Sequence, residues 1–190
     1  VASIGGGIAL ISSLSVAEEV SKIARGGKLY DKWYEITDGD LPSGTHASYP
    51  KEGKKRKNTT WRCKECHGWD YMGKDGAYAK GSHYTGLGGI RASAGADPAK
   101  IVAILKAKSH GYSEDYFADE DFAAVALFVA KGQVDMDKYI DRASKAAKGD
   151  KAKGEAYFNT ICAGCHGKDG KKIKDMKAVS AEANGNPWET

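Results

Sequence analysis

The feature that most constrains this chain is a five-residue pattern, Cys-x-x-Cys-His, that occurs twice. The stretch CKECH occupies residues 63–67, and the stretch CAGCH occupies residues 162–166. Together the two pentads contain all four cysteines of the 190-residue chain. Each pentad holds two thiols and an imidazole within about one helical turn. The fold must therefore keep three reactive side chains close together at two separate points.

Three kinds of chemistry use such a cysteine pair. Structural zinc needs four ligands, from pairs about 15–20 residues apart, whereas these pairs are about a hundred residues apart. A redox-active dithiol belongs on a β-α-β unit, and the sequence shows no alternation of strands and helices. Covalent haem c accounts for every residue, because both thiols add to porphyrin vinyl groups and the next histidine binds iron. Zinc and a dithiol remain the alternatives to this interpretation.

The pentads therefore predict two covalently bound haem c groups. The residues predicted to attach them are Cys63, Cys66, Cys162 and Cys165. The proximal iron ligands are predicted to be His67 and His166, each directly after its cysteine pair.

The charge balance does not favour a nucleic-acid partner. The formal net charge is +4, and two propionates on each haem would bring the protein close to neutrality. Lysines cluster in KEGKKRKN, residues 51–58, and again at Lys168, Lys171, Lys172, Lys174 and Lys177. These clusters are interpreted either as solvated faces or as a docking rim for an acidic redox partner.

The N-terminal segment, residues 1–17, is apolar and rich in small residues. Its sequence, VASIGGGIALISSLSVA, resembles the core of a secretion signal, and Ser15-Val16-Ala17 fits a small-x-small cleavage site. The other interpretation is an uncleaved anchor that contacts the membrane. Either one predicts a periplasmic protein, soluble or anchored at its N-terminus, in the compartment where bacteria attach haem c.

Helical patterns surround the first pentad. Ser15 and Glu18 form a capping-box pattern, and an apolar stripe follows at Val20, Ile23, Ala24, Gly27, Tyr30, Trp33 and Tyr34. Asp97 and Pro98 predict the start of a helix over DPAKIVAILKAKSHGY. The stretch DEDFAAVALFVAKG predicts a further helix that ends before Gly132, with one face formed by Phe122, Val125, Ala126 and Val129.

The pattern before the second pentad is a shorter version of the same element. Asp150 is placed to cap a helix that continues to Cys162, whereas residues 37–60 form a loop insertion before the first pentad. The element is thus repeated, once interrupted and once not. The predicted organisation is a signal-like or anchor segment (1–17), a first domain (18–133), a linker (134–153) and an incomplete second domain (154–190).

The order helix, haem pentad, loop, helix, loop, helix resembles the class I cytochrome c fold. The resemblance covers residues 18–132 and, more weakly, residues 154–190, and its most specific part beyond the pentads is the DEDFAAVALFVAKG helix. It implies an all-α chain whose first domain has crossing first and last helices and a haem in its core. A second, truncated cytochrome c-like unit follows.

In this family the distal iron ligand, usually Met, lies in the loop before the last helix. Here that loop reads KAKSHGYSEDYFADEDF, so the resemblance implies His110 as the distal ligand of the first haem. His83 is the alternative ligand, or else a hydrogen-bond partner of a propionate or of a ligand. His46, in the insertion, is interpreted as a surface residue. Met176 is the local candidate for the distal ligand of the second haem.

These features predict a dihaem c-type cytochrome that carries single electrons. Its partners would be periplasmic or membrane-bound redox proteins, including subunits of a respiratory complex. An iron bound by two histidines has no open position, which favours electron transfer, and no residue is predicted to be catalytic. The alternative is a haem enzyme, of the dihaem peroxidase or thiosulfate-oxidising type, with the second haem as its active site.

Overall fold

The computed structural model describes residues 7–189, with side chains described from Ser15 onward. Helices, turns and loops make up this part of the chain, and its only β-type pairings are two isolated bridges. The predicted all-α class is therefore confirmed for these residues. The chain divides into two compact units, Val1–Gln133 and Val134–Thr190, so residues 134–153 belong to the second unit.

The first helix, α1, begins earlier than the sequence pattern predicts. It spans Gly7–Lys32, so Ser15 and Glu18 lie inside it, and the predicted capping box is wrong. Glu18 instead pairs with Lys22 one turn later, with 2.6 Å between Oε1 and Nζ. Small and apolar residues before Ser15 are compatible with a helix, and they extend it toward the N-terminus.

Part of the predicted signal or anchor segment, residues 1–6, lies outside the described residues. Residues 7–17 of that segment belong to α1. Between residues 7 and 189, no helix combines the length and the apolar composition needed to cross a membrane.

Two short helices follow in the first unit. The helix α2 is a single turn over Cys63–His67, and α3 spans Pro98–Lys106. Asp97 caps α3 as predicted, because its Oδ1 accepts a hydrogen bond from the N–H of Ala99 at 2.9 Å. Pro98 is the first residue of the helix, where its missing N–H costs no hydrogen bond.

The last helix of the first unit, α4, spans Asp119–Leu127 and continues as a π-helical turn over Phe128–Gly132. Its predicted face is confirmed as buried, at Phe122, Val125, Ala126 and Val129. Gly132 was predicted to follow the helix, but it ends the π turn. A Cβ atom there would lie 2.7 Å from Ile23 Cγ2 of α1, so this glycine is required by close packing of two helices.

The helices α1 and α4 cross at very short range. A Cβ atom added to Gly26 would lie 2.1 Å from the carbonyl oxygen of Ala124, so the crossing accommodates only glycine there. Next to it, Arg25 Nε and Nη2 contact Asp121 Oδ1 at 2.7 and 2.6 Å. The Asp121 side chain is buried. Backbone contact and an ion pair between exposed Arg25 and buried Asp121 thus fix the two helices against each other.

The core of the first unit is unusually rich in aromatic side chains. Leu29 and Tyr30 of α1 are fully buried, and so is Trp33, which begins the short 3-10 helix Trp33–Glu35 after it. Val20, predicted for the same stripe, is 60% exposed. The aromatic members of the cluster are Tyr30, Trp33, Tyr71, Tyr112, Phe117, Phe122 and Phe128.

The insertion, residues 37–60, packs against the loop that leads into α4. The backbone N–H of Asp40 donates to the carbonyl oxygen of Asp115 at 2.8 Å. At the other end, Trp61 Nε1 donates to the Gly44 carbonyl oxygen at 2.9 Å. Trp33 Nε1 donates in turn to the Trp61 carbonyl oxygen, also at 2.9 Å. Both ends of the insertion are therefore tied to the helical core.

The second unit is helical before, through and after its pentad. Its helices are a short 3-10 helix (Met136–Lys138), α5 (Lys151–Tyr157), a π-helical turn (Phe158–Cys162), α6 (Ala163–His166) and α7 (Val179–Gly185). Asp150 caps α5 as predicted, since its Oδ1 accepts the N–H of Lys153 at 3.0 Å. Trp188 is buried in this unit, with the cationic groups of Arg142 and Lys145 5.9 and 6.0 Å from its ring.

Candidate functional site

The first pentad forms a helical turn that is followed by left-handed backbone. Directly after α2, Gly68 has a φ of 77°. Tyr71 also has a positive φ, of 62°, which is uncommon for a bulky residue. Between them, Asp70 Oδ1 accepts the N–H of Met72 at 3.3 Å. The chain thus turns sharply just after His67.

The second pentad repeats this backbone form. The residue after His166, Gly167, has a φ of 78°, and Gly170, in the position of Tyr71, has a φ of 68°. Asp169 Oδ1 accepts the N–H of Lys171 at 3.1 Å, as its counterpart does in the first unit. The repeat therefore extends beyond the pentad into the turn that follows it.

A cavity of about 420 Å³ lies beside the first pentad. Cys63, Cys66 and His67 line it, and so does His110 from the loop before α4. Helices α1, α3 and α4 provide an apolar wall, through Tyr30, Ile101, Leu105, Val125 and Val129. The fold thus brings two thiols and two imidazoles from distant parts of the sequence to one apolar space.

The ring of His67 is oriented by a backbone hydrogen bond. Its Nδ1 lies 2.9 Å from the carbonyl oxygen of Gly88, which can only accept. The proton is therefore on Nδ1, and Nε2 is the nitrogen available to bind a metal. Burial lowers the pKa of His67, so the imidazole is neutral at pH 7, the form that binds metals.

His110 lies next to His67 in the cavity. The two ring centroids are 6.1 Å apart, and the ring planes are inclined by 27°. Burial also lowers the pKa of His110, and a hydrogen bond with the Ile104 backbone opposes that shift. Two neutral imidazoles at this separation can both bind a metal ion placed between them.

The two thiols of the first pentad are protonated at neutral pH. Burial raises the pKa of Cys63 to about 11 and that of Cys66 to about 12. The Tyr112 hydroxyl lies 4.0 Å from Cys63 Sγ and partly opposes the shift at that residue. Thiols with such raised pKa values are poor nucleophiles once the unit has folded.

His83, the alternative distal ligand, is not among the residues that line the cavity. Its Nδ1 lies 2.8 Å from Oε1 of Glu65, a fully buried carboxylate within the first pentad. Its ring stacks on Tyr78, with 4.6 Å between centroids. His83 therefore contacts the pentad outside the cavity lining, as a hydrogen-bond partner of Glu65.

His46 has a different position from the one that the sequence indicates. It was interpreted as a surface residue, but it lines the cavity and is partly buried. Its Nε2 lies 2.6 Å from the carbonyl oxygen of His110. The insertion that carries His46 folds back onto the loop before α4, and for this reason the surface interpretation is wrong.

The residues of the second pentad are more open to solvent. Cys165 is exposed, and Cys162 and His166 are half-buried. Met176, predicted as a distal ligand, is 60% exposed. Its assignment to the second haem stays a prediction.

Comparisons of the chain with protein-family models, curated proteins and solved structures found no match. The site is therefore interpreted from its own geometry. Across residues 7–189, no group of three or more His, Cys, Asp or Glu side chains is arranged to hold a metal ion.

Sequence reasoning missed several residues at the site, among them His46 and Ser48. Both belong to the insertion, and Ser48 Oγ donates to the carbonyl oxygen of Ser109 at 2.6 Å. A histidine within a long, otherwise featureless loop was the available signal. No local pattern indicated which segment that loop would contact.

Proposed function

We propose that the first unit is a class I cytochrome c-like domain that binds one haem c and transfers single electrons. One observation carries the proposal: His67 and His110 lie together in an apolar cavity that is also lined by Cys63 and Cys66. Two thiols for attachment and two neutral imidazoles for the iron are the groups that a six-coordinate haem c requires.

The spacing of the imidazoles supports the proposal. An iron ion about 2 Å from one nitrogen of each ring places the two ring centroids roughly 6 Å apart. The observed distance is 6.1 Å. A porphyrin supplies the other four nitrogen ligands, so only two ligands need to come from the protein.

The surrounding helices are also consistent with this fold. The first and last helices of the unit cross at Gly26, and α1, α3 and α4 line the cavity. An apolar wall favours burial of a porphyrin, because its large flat surface is removed from water.

The protonation states of the thiols favour haem attachment over dithiol chemistry. A redox-active dithiol needs an exposed thiolate with a lowered pKa. Burial instead raises the pKa of Cys63 to about 11 and that of Cys66 to about 12. Buried thiols are compatible with permanent thioether bonds inside a folded core.

The residues then have distinct roles in electron transfer. A haem c supplies a one-electron iron couple. The hydrogen bond from His67 Nδ1 to Gly88 holds the ring of His67, and His110 would be the second ligand of the iron. With both histidines bound, neither water nor a substrate would have an open site. The function supported best is electron transfer.

We propose that the second pentad binds a second haem c in the same manner. The shared backbone form after His67 and His166 supports this assignment. Haem c attachment takes place outside the bacterial cytoplasm, so a periplasmic location is part of the proposal. Partners would be redox proteins, including subunits of a membrane respiratory complex.

The direct test of the proposed function is the number of haems. The mature protein should exceed its polypeptide mass by two haem groups, and the colour should persist after denaturation, since thioether bonds survive unfolding. Cys63→Ala combined with Cys66→Ala should remove one haem, and Cys162→Ala with Cys165→Ala should remove the other. Loss of all colour on denaturation, or bound zinc instead of haem, would contradict the proposal.

The basic run of the insertion provides a second prediction. Lys51, Lys54 and Lys57 are exposed. Changing all three to glutamine should slow oxidation of the reduced protein by hexacyanoferrate(III), about tenfold at low ionic strength, because electrostatic steering is lost. The haem potentials should not change. Stopped-flow rates across a salt series provide the measurement.

The matched control for the basic run removes the same charge from the second unit. Lys168, Lys171 and Lys174, all exposed, are changed to glutamine. Equal slowing by both triple variants would show that the run in the insertion has no special role in docking. No slowing by the first variant would identify the run as an ordinary solvated face.

A further inference from the structure

The insertion holds the loop that carries His110. His46 Nε2 lies 2.6 Å from the carbonyl oxygen of His110, and Ser48 Oγ donates to that of Ser109 at 2.6 Å. The two acceptors are consecutive carbonyl groups of one turn. Their partners come from a segment 64 and 61 residues away in sequence. Two hydrogen bonds therefore connect the insertion to the backbone of the distal loop.

His46 is itself fixed at both ring nitrogens. Its Nδ1 accepts the backbone N–H of Ser48 at 3.1 Å, so the ring proton is on Nε2. The Nε2–H group is then the donor to His110. The ring packs edge-on against Trp61, with 4.4 Å between centroids. The backbone N–H of His46 donates to Thr60 Oγ1 at 2.9 Å. The His46 ring cannot turn without breaking two hydrogen bonds.

The residues that hold His46 in place belong to the segment that leads into the first pentad. Trp61 precedes Cys63 by two residues, and its carbonyl oxygen accepts a hydrogen bond from the Tyr112 hydroxyl. Tyr112 follows His110 by two residues. The insertion thus joins the chain before the pentad to the chain around His110. In the second unit, helical structure is continuous from Lys151 to His166.

The distal loop has few other restraints close to His110. Its neighbours Lys108, Ser109 and Gly111 are exposed. The backbone N–H groups of His110 and Gly111 both bond locally, to the carbonyl oxygen of Ala107, at 2.9 and 2.8 Å. Beyond these bonds, the turn is held by a hydrogen bond of His110 with the Ile104 backbone and by the Tyr112 hydroxyl. An exposed turn with so few restraints opens easily, and a metal ligand on it would dissociate often.

We propose that His46 and Ser48 are positioning residues that hold the backbone of the distal loop and thereby keep the His110 ring in place. The inference rests on the proposed function, in which His110 binds the iron. His46 acts through the His110 carbonyl group and does not bind the iron.

The experiment measures cyanide binding to the oxidised, full-length holoprotein. Cyanide reaches a six-coordinate iron only after the distal ligand has left, so its binding rate reports how often His110 dissociates. Each haem should give its own kinetic phase of cyanide binding. The phase of the first haem is identified as the one that His110→Ala changes. His46→Ala and Ser48→Ala should each accelerate that phase roughly five- to tenfold, the effect of one lost hydrogen bond. Both variants should keep their six-coordinate low-spin spectrum.

Two controls separate positioning from general damage to the fold. His46→Gln retains an N–H donor of similar reach and should restore most of the slow rate. Ser43→Ala removes an exposed hydroxyl from the same loop and should leave the rate unchanged. If His46→Ala yields no folded protein, Ser48→Ala decides alone, because it removes a single exposed hydroxyl.

An unchanged rate in both His46→Ala and Ser48→Ala would overturn the inference. So would loss of the low-spin spectrum in His46→Ala together with its retention in His110→Ala, because His46 would then be the ligand. Failure of the proposed function gives a different result. The unmodified protein would then carry no haem at Cys63 and Cys66, before any variant is compared.

Discussion

Replacing His110 by alanine should convert the first haem from a six-coordinate low-spin state to a five-coordinate or water-bound state. His46 also lines the cavity next to His110, but both of its ring nitrogens are hydrogen-bonded, so it is not free to replace a lost imidazole. The ferrous variant should bind carbon monoxide with an apparent affinity about a hundredfold higher, because no internal ligand competes for the iron. EPR spectra of the oxidised protein and carbon monoxide titration of the reduced protein measure the change.

Two further variants test whether the effect is specific to His110. His110→Met should keep six-coordination and raise the potential of the first haem, because a thioether ligand favours ferrous iron. His83→Ala should leave the coordination unchanged, since His83 pairs with Glu65 outside the cavity lining. A low-spin spectrum that survives His110→Ala but not His83→Ala would show that the assignment is wrong.

Replacing Gly26 by alanine should lower the free energy of unfolding of the first unit by about 3 kcal/mol. The added Cβ would lie 2.1 Å from the Ala124 carbonyl oxygen and 2.6 Å from Phe128 Cβ. Neither atom can move without shifting the α4 backbone. The two helices must therefore separate, which also strains the ion pair of Arg25 and Asp121. Guanidinium unfolding followed by far-UV circular dichroism measures the loss.

The neighbouring glycine on the same helix is the matched control. A Cβ on Gly27 would lie 3.2 Å from Phe128 Cε2, the edge of a side chain that can shift. The better helix propensity of alanine, about 1 kcal/mol, should offset much of that contact. In α5, Gly154 has no atom within 4 Å of an added Cβ, so Gly154→Ala should stabilise the second unit. If Gly26→Ala unfolded at the same guanidinium concentration as the wild-type protein, that result would contradict so close a crossing.

Local signals in the sequence predicted the helices best. The caps at Asp97 and Asp150 are confirmed, and so is the buried face of α4. Each of these features depends on residues within one or two helical turns of each other. The prediction failed at the start of α1, where a capping-box pattern coincides with residues that fit a helix interior equally well.

Contacts between distant segments had no comparable signal. The apolar stripe of α1 includes Gly27, but the closest crossing is at Gly26, because that position depends on where α4 approaches. The thiols, His67 and His110 could be placed together from spacing and family resemblance. His46 could not, since its role depends on a hydrogen bond to a carbonyl group 64 residues away.

The burial of Cys63 and Cys66 sets an order of events during maturation. Under the proposed function, thioether bonds form while both thiols can still ionise, before the chain closes around them. Folding and attachment then compete for the same nascent protein. Before haem is attached, a cavity of about 420 Å³ would weaken the folded unit. The low stability of the haem-free unit favours correct assembly, because the thiols of an unfolded chain stay accessible to the attachment machinery for longer.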